Sequence, residues 1–245
     1  MGIPRISRVW GLAAVAALSA CSLRTLSCEI PSNHPPPAAV ITGEEPAAAA
    51  AEQAKRIEIA FLGDSLTAGL GLTSDKSYPS QIEAMFSAEG YSDVEVLNGG
   101  VSGDTTAGGL RRVEQLLNPN TRILVVALGG NDALRGLTVA ETHDNLQAII
   151  QGARARGLAV LLAGMEAPTN LGEDYRTAFH NVFLQLAEEF KGQITFVPFL
   201  LEGVAGNPAL NQADGIHPTA DGAKIVADQL YPRLRDLVDQ VPRPG

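Results

Sequence analysis

The chain has 245 residues, of which 45% are hydrophobic and 18% charged, and its formal net charge is −9 at neutral pH. That composition supplies a sizeable apolar core and excludes a disordered chain. The acid excess, with no basic run beyond the first few residues, also argues against binding a nucleic-acid backbone.

Arg5 and Arg8 precede the uncharged stretch "VWGLAAVAALSA", Val9 to Ala20, which is too short to span a bilayer and has the layout of a secretory signal. Residues 1–20 are therefore expected to be absent from the mature protein. "LSAC", Leu18 to Cys21, resembles the bacterial lipobox, whose cysteine is lipidated and becomes the new N-terminus. Cys21 would then carry a membrane anchor, and Ser22 after it resembles the sorting pattern for the outer membrane. The same residues also read as an ordinary signal cleaved at Ser19 and Ala20, with Cys21 and Cys28 free to pair in an oxidising compartment. Either cleavage removes two arginines and no acid, so the charge of −9 becomes −11. Residues 21–55 are rich in Pro and Ala and read as a tether, in which His34 is simply solvated.

From residue 56 apolar runs alternate with amphipathic ones. Strands are expected at "IEIAFLG" from Ile57, "VEVLN" from Val94, "RILVVALGG" from Arg122, "LAVLLAG" from Leu158 and "ITFVPF" from Ile194. Several are continuously apolar, as strands covered on both faces are, which implies a parallel sheet. Helices are expected near Pro79–Ala88, Thr106–Leu117, Val139–Arg156, Tyr175–Lys191 and Ala220–Val238, and Thr138 with Glu141 has capping-box spacing. The alternation predicts one α/β domain over 56–240, a three-layer sandwich around a five-stranded parallel sheet, followed by a short tail at 241–245.

The chemistry-bearing residues fall at strand ends. In "FLGDSLTAGLG", Ser65 follows the first strand and opens a helix at the carboxyl edge, where open α/β sheets bind ligands. A serine hydroxyl becomes a nucleophile only with a base, an orienting group for that base, and donors for the developing oxyanion. "DGIHP", Asp214 to Pro218, offers His217 as base and Asp214 three residues earlier as its orienter. "NGGVSGDT" after the second strand offers backbone N–H groups on glycines, and "GGND" after the third adds the carboxamide of Asn131. Asp64 reads as a satisfier of turn donors, and His143 and His180 fall inside predicted helices. Position 67 is Thr, so the pattern is not the G-x-S-x-G elbow of α/β-hydrolases.

"GDSLTAG", "SGDT", "LGGND" and "DGIHP", in this order, resemble the SGNH hydrolases of the GDSL esterase/lipase superfamily, and within it the bacterial thioesterase and lysophospholipase group. The resemblance covers about residues 56–240 and implies a flavodoxin-like fold and hydrolysis of a carboxylic ester through an acyl-enzyme. It implies Ser65 as nucleophile, His217 as general base and Asp214 as its orienting carboxylate. It further implies Ser65 N–H, Gly103 and Asn131 as oxyanion donors, with Gly103 chosen over the nearby Gly100 because it sits in "SGDT". No metal or cofactor is implied. The partners expected are a small ester or lipid substrate and, through Cys21, a membrane of the bacterial envelope. Residues 165–172 would border the acyl pocket, with Ala167 where similar sequences carry a larger apolar residue. An acetylated-sugar esterase, a nonenzymatic envelope lipoprotein and a receiver or nucleotide-binding module are the rival readings. The last lacks its phosphate-binding glycine pattern and lysine.

Overall fold

A computed structural model describes residues 56–243 of the chain. The signal, Cys21, Cys28 and the tether lie outside the described residues, as do the last two residues of the tail. The elements in chain order are β1 (Ile57–Gly63), α1 (Ser65–Ala68), α2 (Tyr78–Ala88), β2 (Val94–Gly100), α3 (Thr106–Leu116), β3 (Thr121–Ala127), α4 (Gly130–Leu134), α5 (Val139–Ala155), β4 (Ala159–Ala163), α6 (Glu173–Glu189), β5 (Thr195–Val197) and α7 (Ala220–Gln240).

The strands form a parallel sheet in the order β2-β1-β3-β4-β5. All of β1 is buried, so it is apolar but for Glu58, whose carboxylate accepts hydrogen bonds from Asn118 and Thr121. Helices α2 and α7 pack together, as do α3, α5 and α6. Phe86 fixes the first pair, its ring edge-on to Tyr91 at 5.3 Å and to Tyr231 at 4.8 Å. Ser77, Thr105, Thr138 and Thr219 cap α2, α3, α5 and α7, each side-chain oxygen accepting a backbone N–H of the first turn. At α5 the expected box closes differently: the Thr138 hydroxyl accepts from Glu141 N–H and donates to the Glu141 carboxylate at 2.5 Å.

This topology decides where a site can form. The chain leaves β1 toward β2 on one side and returns to β3 on the other, so the connections diverge and open a crevice at the carboxyl ends of β1 and β3. Two strand ends differ from the sequence expectation. β2 runs on through Gly99 and Gly100, which pair with Leu62 and Gly63. A Cβ on Gly100 would lie 2.2 Å from the Ala68 N atom, so this glycine lets α1 sit on the strand instead of forming a loop. β5 has three residues because Pro198 has no N–H to continue the ladder.

Candidate active site

Ser65 stands where the chain turns out of β1. The Asp64 carboxylate accepts the Leu66 N–H at 3.0 Å and caps α1, which ends after one turn at Gly69 in the left-handed conformation. Four helical residues generate little macrodipole, so the polarity at Ser65 comes from the unpaired N–H groups of this turn more than from a helix dipole.

His217 reaches this serine across 152 residues of sequence, its Nε2 lying 2.8 Å from Ser65 Oγ. Its Nδ1 lies 2.7 Å from Asp214 Oδ2. The other Asp214 oxygen accepts the Ile216 and His217 N–H groups at 2.9 and 3.0 Å. Hydrogen bonds from the His217 backbone and ring, then from the Ile216 N–H, hold the Asp214 carboxyl down to about 2. An ionised carboxylate only accepts, so Nδ1 carries the proton and Nε2 offers its lone pair to the Ser65 hydroxyl. Gln212 secures this loop: its Nε2 donates to Leu70 O at 2.7 Å and Pro218 O at 2.9 Å, and its N–H donates to His217 O. It therefore ties the histidine loop to the turn behind Ser65.

The second side of the crevice carries Gly103 and Asn131. Gly103 has φ of +80°, a conformation that turns its backbone as L side chains rarely allow, and its N–H has no protein acceptor among the described residues. The Gly100 N–H instead donates to Asn98 Oδ1, which separates the two glycines in favour of Gly103. Asn131 sits in α4, and its Nδ2 donates to Asp64 Oδ2 at 3.1 Å. One amide hydrogen is thereby committed and the carboxamide fixed, with the second hydrogen available. Asp64 thus does more than satisfy its own turn: it sets the orientation of Asn131.

Three further residues support these loops without a sequence signature. Arg112 on α3 donates to Asp104 at 2.7 Å, to Gly99 O at 2.7 Å and to Gly63 O at 2.8 Å, locking the Gly103 loop to the ends of β1 and β2. Arg135 donates to Gly103 O at 2.6 Å. Asp132, buried, accepts the Thr106 N–H and hydroxyl at 2.9 and 2.5 Å and so ties α4 to α3. All three pairings depend on how the loops and helices meet in the fold.

Burial pushes the Asp64 carboxyl up to about 6, against the lowering effects of the Leu66 N–H, Asn131 and His217. Unfolded, this group titrates near 3.8. Between roughly pH 4 and 6 the folded chain holds a proton that the unfolded chain releases, so stability falls as pH rises through that window, by up to about 3 kcal/mol. Asp64→Asn should remove this slope, measured by urea unfolding at pH 4.5 and 7; an unchanged slope would show that Asp64 is not its source. Asp214 acts in the opposite sense, its contribution lost as pH falls from about 4 to 2.

An apolar cavity of about 500 Å³ opens at Leu66, the residue after Ser65, and is lined in part by Leu66, Leu134, Met165, Glu166, Ala167, Leu201 and Ile216; Ser65 and His217 line a narrower cleft that shares Leu66 and Leu201 with it. Ala167 is buried in its wall, consistent with the expected place of residues 165–172. His143 and His180 lie elsewhere, bonded to Glu189 and Glu166 on the surface at 3.1 and 2.6 Å.

Known proteins resemble this chain over most of its length. The esterase TesA of Pseudomonas aeruginosa is 39% identical over 188 residues, covering 76% of this chain and 92% of that protein. The thioesterase 1/protease 1/lysophospholipase L1 of Escherichia coli is 36% identical over 182 residues, covering 74% and 85%. The crystal structure of AlinE4, an SGNH-hydrolase family esterase, superposes with a TM-score of 0.61 at 39% identity, covering 76% of this chain and 97% of that one. Residues 61–225 match the GDSL-like lipase/acylhydrolase family, and with these relatives the chain belongs to that family and is a carboxylic ester hydrolase of the SGNH type.

Proposed function

We propose that the protein is an exported serine esterase in which Ser65, His217 and Asp214 form the catalytic triad and the Ser65 N–H, the Gly103 N–H and Asn131 Nδ2 form the oxyanion hole. The reading rests on one continuous relay, Asp214 Oδ2 to His217 Nδ1 at 2.7 Å and His217 Nε2 to Ser65 Oγ at 2.8 Å. In the first half-reaction Ser65 Oγ attacks the ester carbonyl as its proton passes to His217 Nε2, and the oxyanion forms between the three donors. His217 then protonates the leaving alcohol, and the acyl group remains on Ser65. In the second half, water gives a proton to His217 and attacks the acyl-enzyme, and Ser65 recovers its proton as the acid leaves. Asp214 stays ionised throughout and steadies the imidazolium.

Lysophospholipids and similar single-chain esters fit this site best. The apolar cavity that opens at Leu66 suits an acyl chain, whereas an acetyl group would leave most of its 500 Å³ unfilled. A thioester carbonyl meets the same donors, so thioesterase activity is secondary. The N-terminal sequence supports a place in the bacterial envelope, with Cys21 acylated and the following residues as a tether; acyl-CoA, a cytoplasmic metabolite, would then be scarce. One set of measurements tests both. The purified protein should show its highest kcat/KM on lysophosphatidylcholine when compared with short p-nitrophenyl esters and palmitoyl-CoA. In cells, wild type should fractionate with membranes and Cys21→Ser should become soluble. A wide preference for palmitoyl-CoA together with a cytoplasmic location would overturn the assignment.

A further inference from the structure

Five large apolar side chains are exposed among the described residues: Leu70 (46%), Val101 (46%), Leu134 (51%), Leu184 (44%) and Ile216 (44%). Scattered singly, such residues are unremarkable. Here four of the five stand on the carboxyl-edge loops, each beside a residue of the site. Leu70 follows the helix opened by Ser65, Val101 begins the loop of Gly103, Leu134 ends the helix of Asn131, and Ile216 precedes His217.

Three of them line adjoining openings, and the fourth stands on the same edge. Leu134 and Ile216 line the apolar cavity together with Leu66, and Leu66 with Leu70 lines the narrow cleft beside Ser65 and His217. Val101 is held at the same edge by its N–H, which donates to Gly63 O at 3.0 Å. The carboxylates around them are each partnered, Glu166 and Asp214 remaining partly exposed. Asp64 is bonded to Leu66 and Asn131, Asp104 to Arg112, Asp132 to Thr106, Glu166 to His180 and Asp214 to His217. Arg135, exposed, donates to Gly103 O and has no carboxylate partner among the described residues.

We propose that this collar docks the catalytic edge onto a phospholipid surface, its four apolar side chains entering the acyl boundary and Arg135 meeting lipid phosphates. Two features of the collar favour this occupant over a second protein. A collar broken by an open cavity lacks the continuous apolar centre of a stable protein–protein interface. Its one uncommitted charge is positive in a chain of net charge −9, which complements a phosphate layer. Docking of this kind delivers a single-chain ester from the lipid layer to the cavity without exposing its tail to water, and it goes beyond the hydrolysis proposed above.

The only tryptophan of the chain is Trp10, so a protein of residues 43–245 has none. That segment contains the whole family match, residues 61–225, and every described strand and helix, so it keeps the complete core. With dioleoylphosphatidylcholine vesicles, Val101→Trp should shift its emission to the blue and Leu184→Trp should not. The double variant Leu70→Asp, Val101→Asp should partition onto vesicles at least about tenfold more weakly. Val101→Asp alone, at a residue that lines neither the cavity nor the cleft, should weaken partitioning while its kcat/KM on soluble p-nitrophenyl acetate stays within about twofold of wild type. Equal shifts at 101 and 184, no shift at 101, or wild-type partitioning of the double variant would overturn the proposal. So would a dimer that the double variant splits without any vesicle binding, which would make the collar a self-interface. Vesicle binding without turnover of p-nitrophenyl acetate would overturn the esterase reading and leave the docking intact.

Discussion

Ser65→Ala should lower kcat on a p-nitrophenyl ester by on the order of 10⁵ to 10⁶ while leaving KM nearly unchanged, and should abolish labelling by a fluorophosphonate. The substitution removes the atom that forms the covalent intermediate, so only the oxyanion donors and binding remain to assist direct attack by water. His217→Ala should cost a comparable amount, and the double variant no more than the worse single one, because the two act as one unit through the 2.8 Å bond. Folding should be little affected, since the only side-chain partner of Ser65 is His217. Retention of more than a tenth of wild-type activity by a stably folded Ser65→Ala protein would exclude Ser65 as the nucleophile.

Asn131→Ala should lower kcat by roughly 10² to 10³ with a smaller change in KM, because a carboxamide donor aimed at the oxyanion acts mainly in the transition state. The same substitution removes the Nδ2 donor from Asp64. Asp64 would then be harder to ionise in its buried position, and the fall in stability between pH 4 and neutrality should steepen. The two readouts separate the roles of the side chain: kcat follows the hydrogen aimed at the substrate, and the stability slope follows the hydrogen aimed at Asp64. A rise in KM alone would place Asn131 in substrate binding instead.

Much of this protein was legible in one dimension. Continuous apolar runs marked the central strands because a strand covered by helices on both faces has little polar side to show, and β1 is buried along its whole length; the edge strands β2 and β5, only partly buried, showed it less. Thr138 announced the start of α5 because capping is local, completed within a single turn. Ser65, Asn131 and the Asp214–His217 pair were readable for the same reason, each resting on a short motif at a strand end or in one tight turn. What sequence reading assigned too freely were the glycines: Gly99 and Gly100 belong to β2, where Gly100 admits the backbone of α1 and Gly99 lies against Leu116 and the Phe61 carbonyl, demands set by elements elsewhere in the chain.

The remainder was decided by tertiary structure, because it consists of contacts between segments whose spacing in the chain carries no information. The sheet order β2-β1-β3 opens the crevice and brings Ser65 to His217 from 152 residues away. Asp64 reaches Asn131, Gln212 reaches Leu70, and Arg112 spans the ends of two strands and the Gly103 loop. Each of these is a hydrogen bond whose partner is fixed by how layers pack. The sequence alone determined which elements form and which side chains can do ester chemistry, since propensity, capping and short motifs act locally; their assembly into one site, the raised pKa of Asp64 and the apolar collar at the carboxyl edge arise only when burial and long-range pairing put distant residues within a few ångströms.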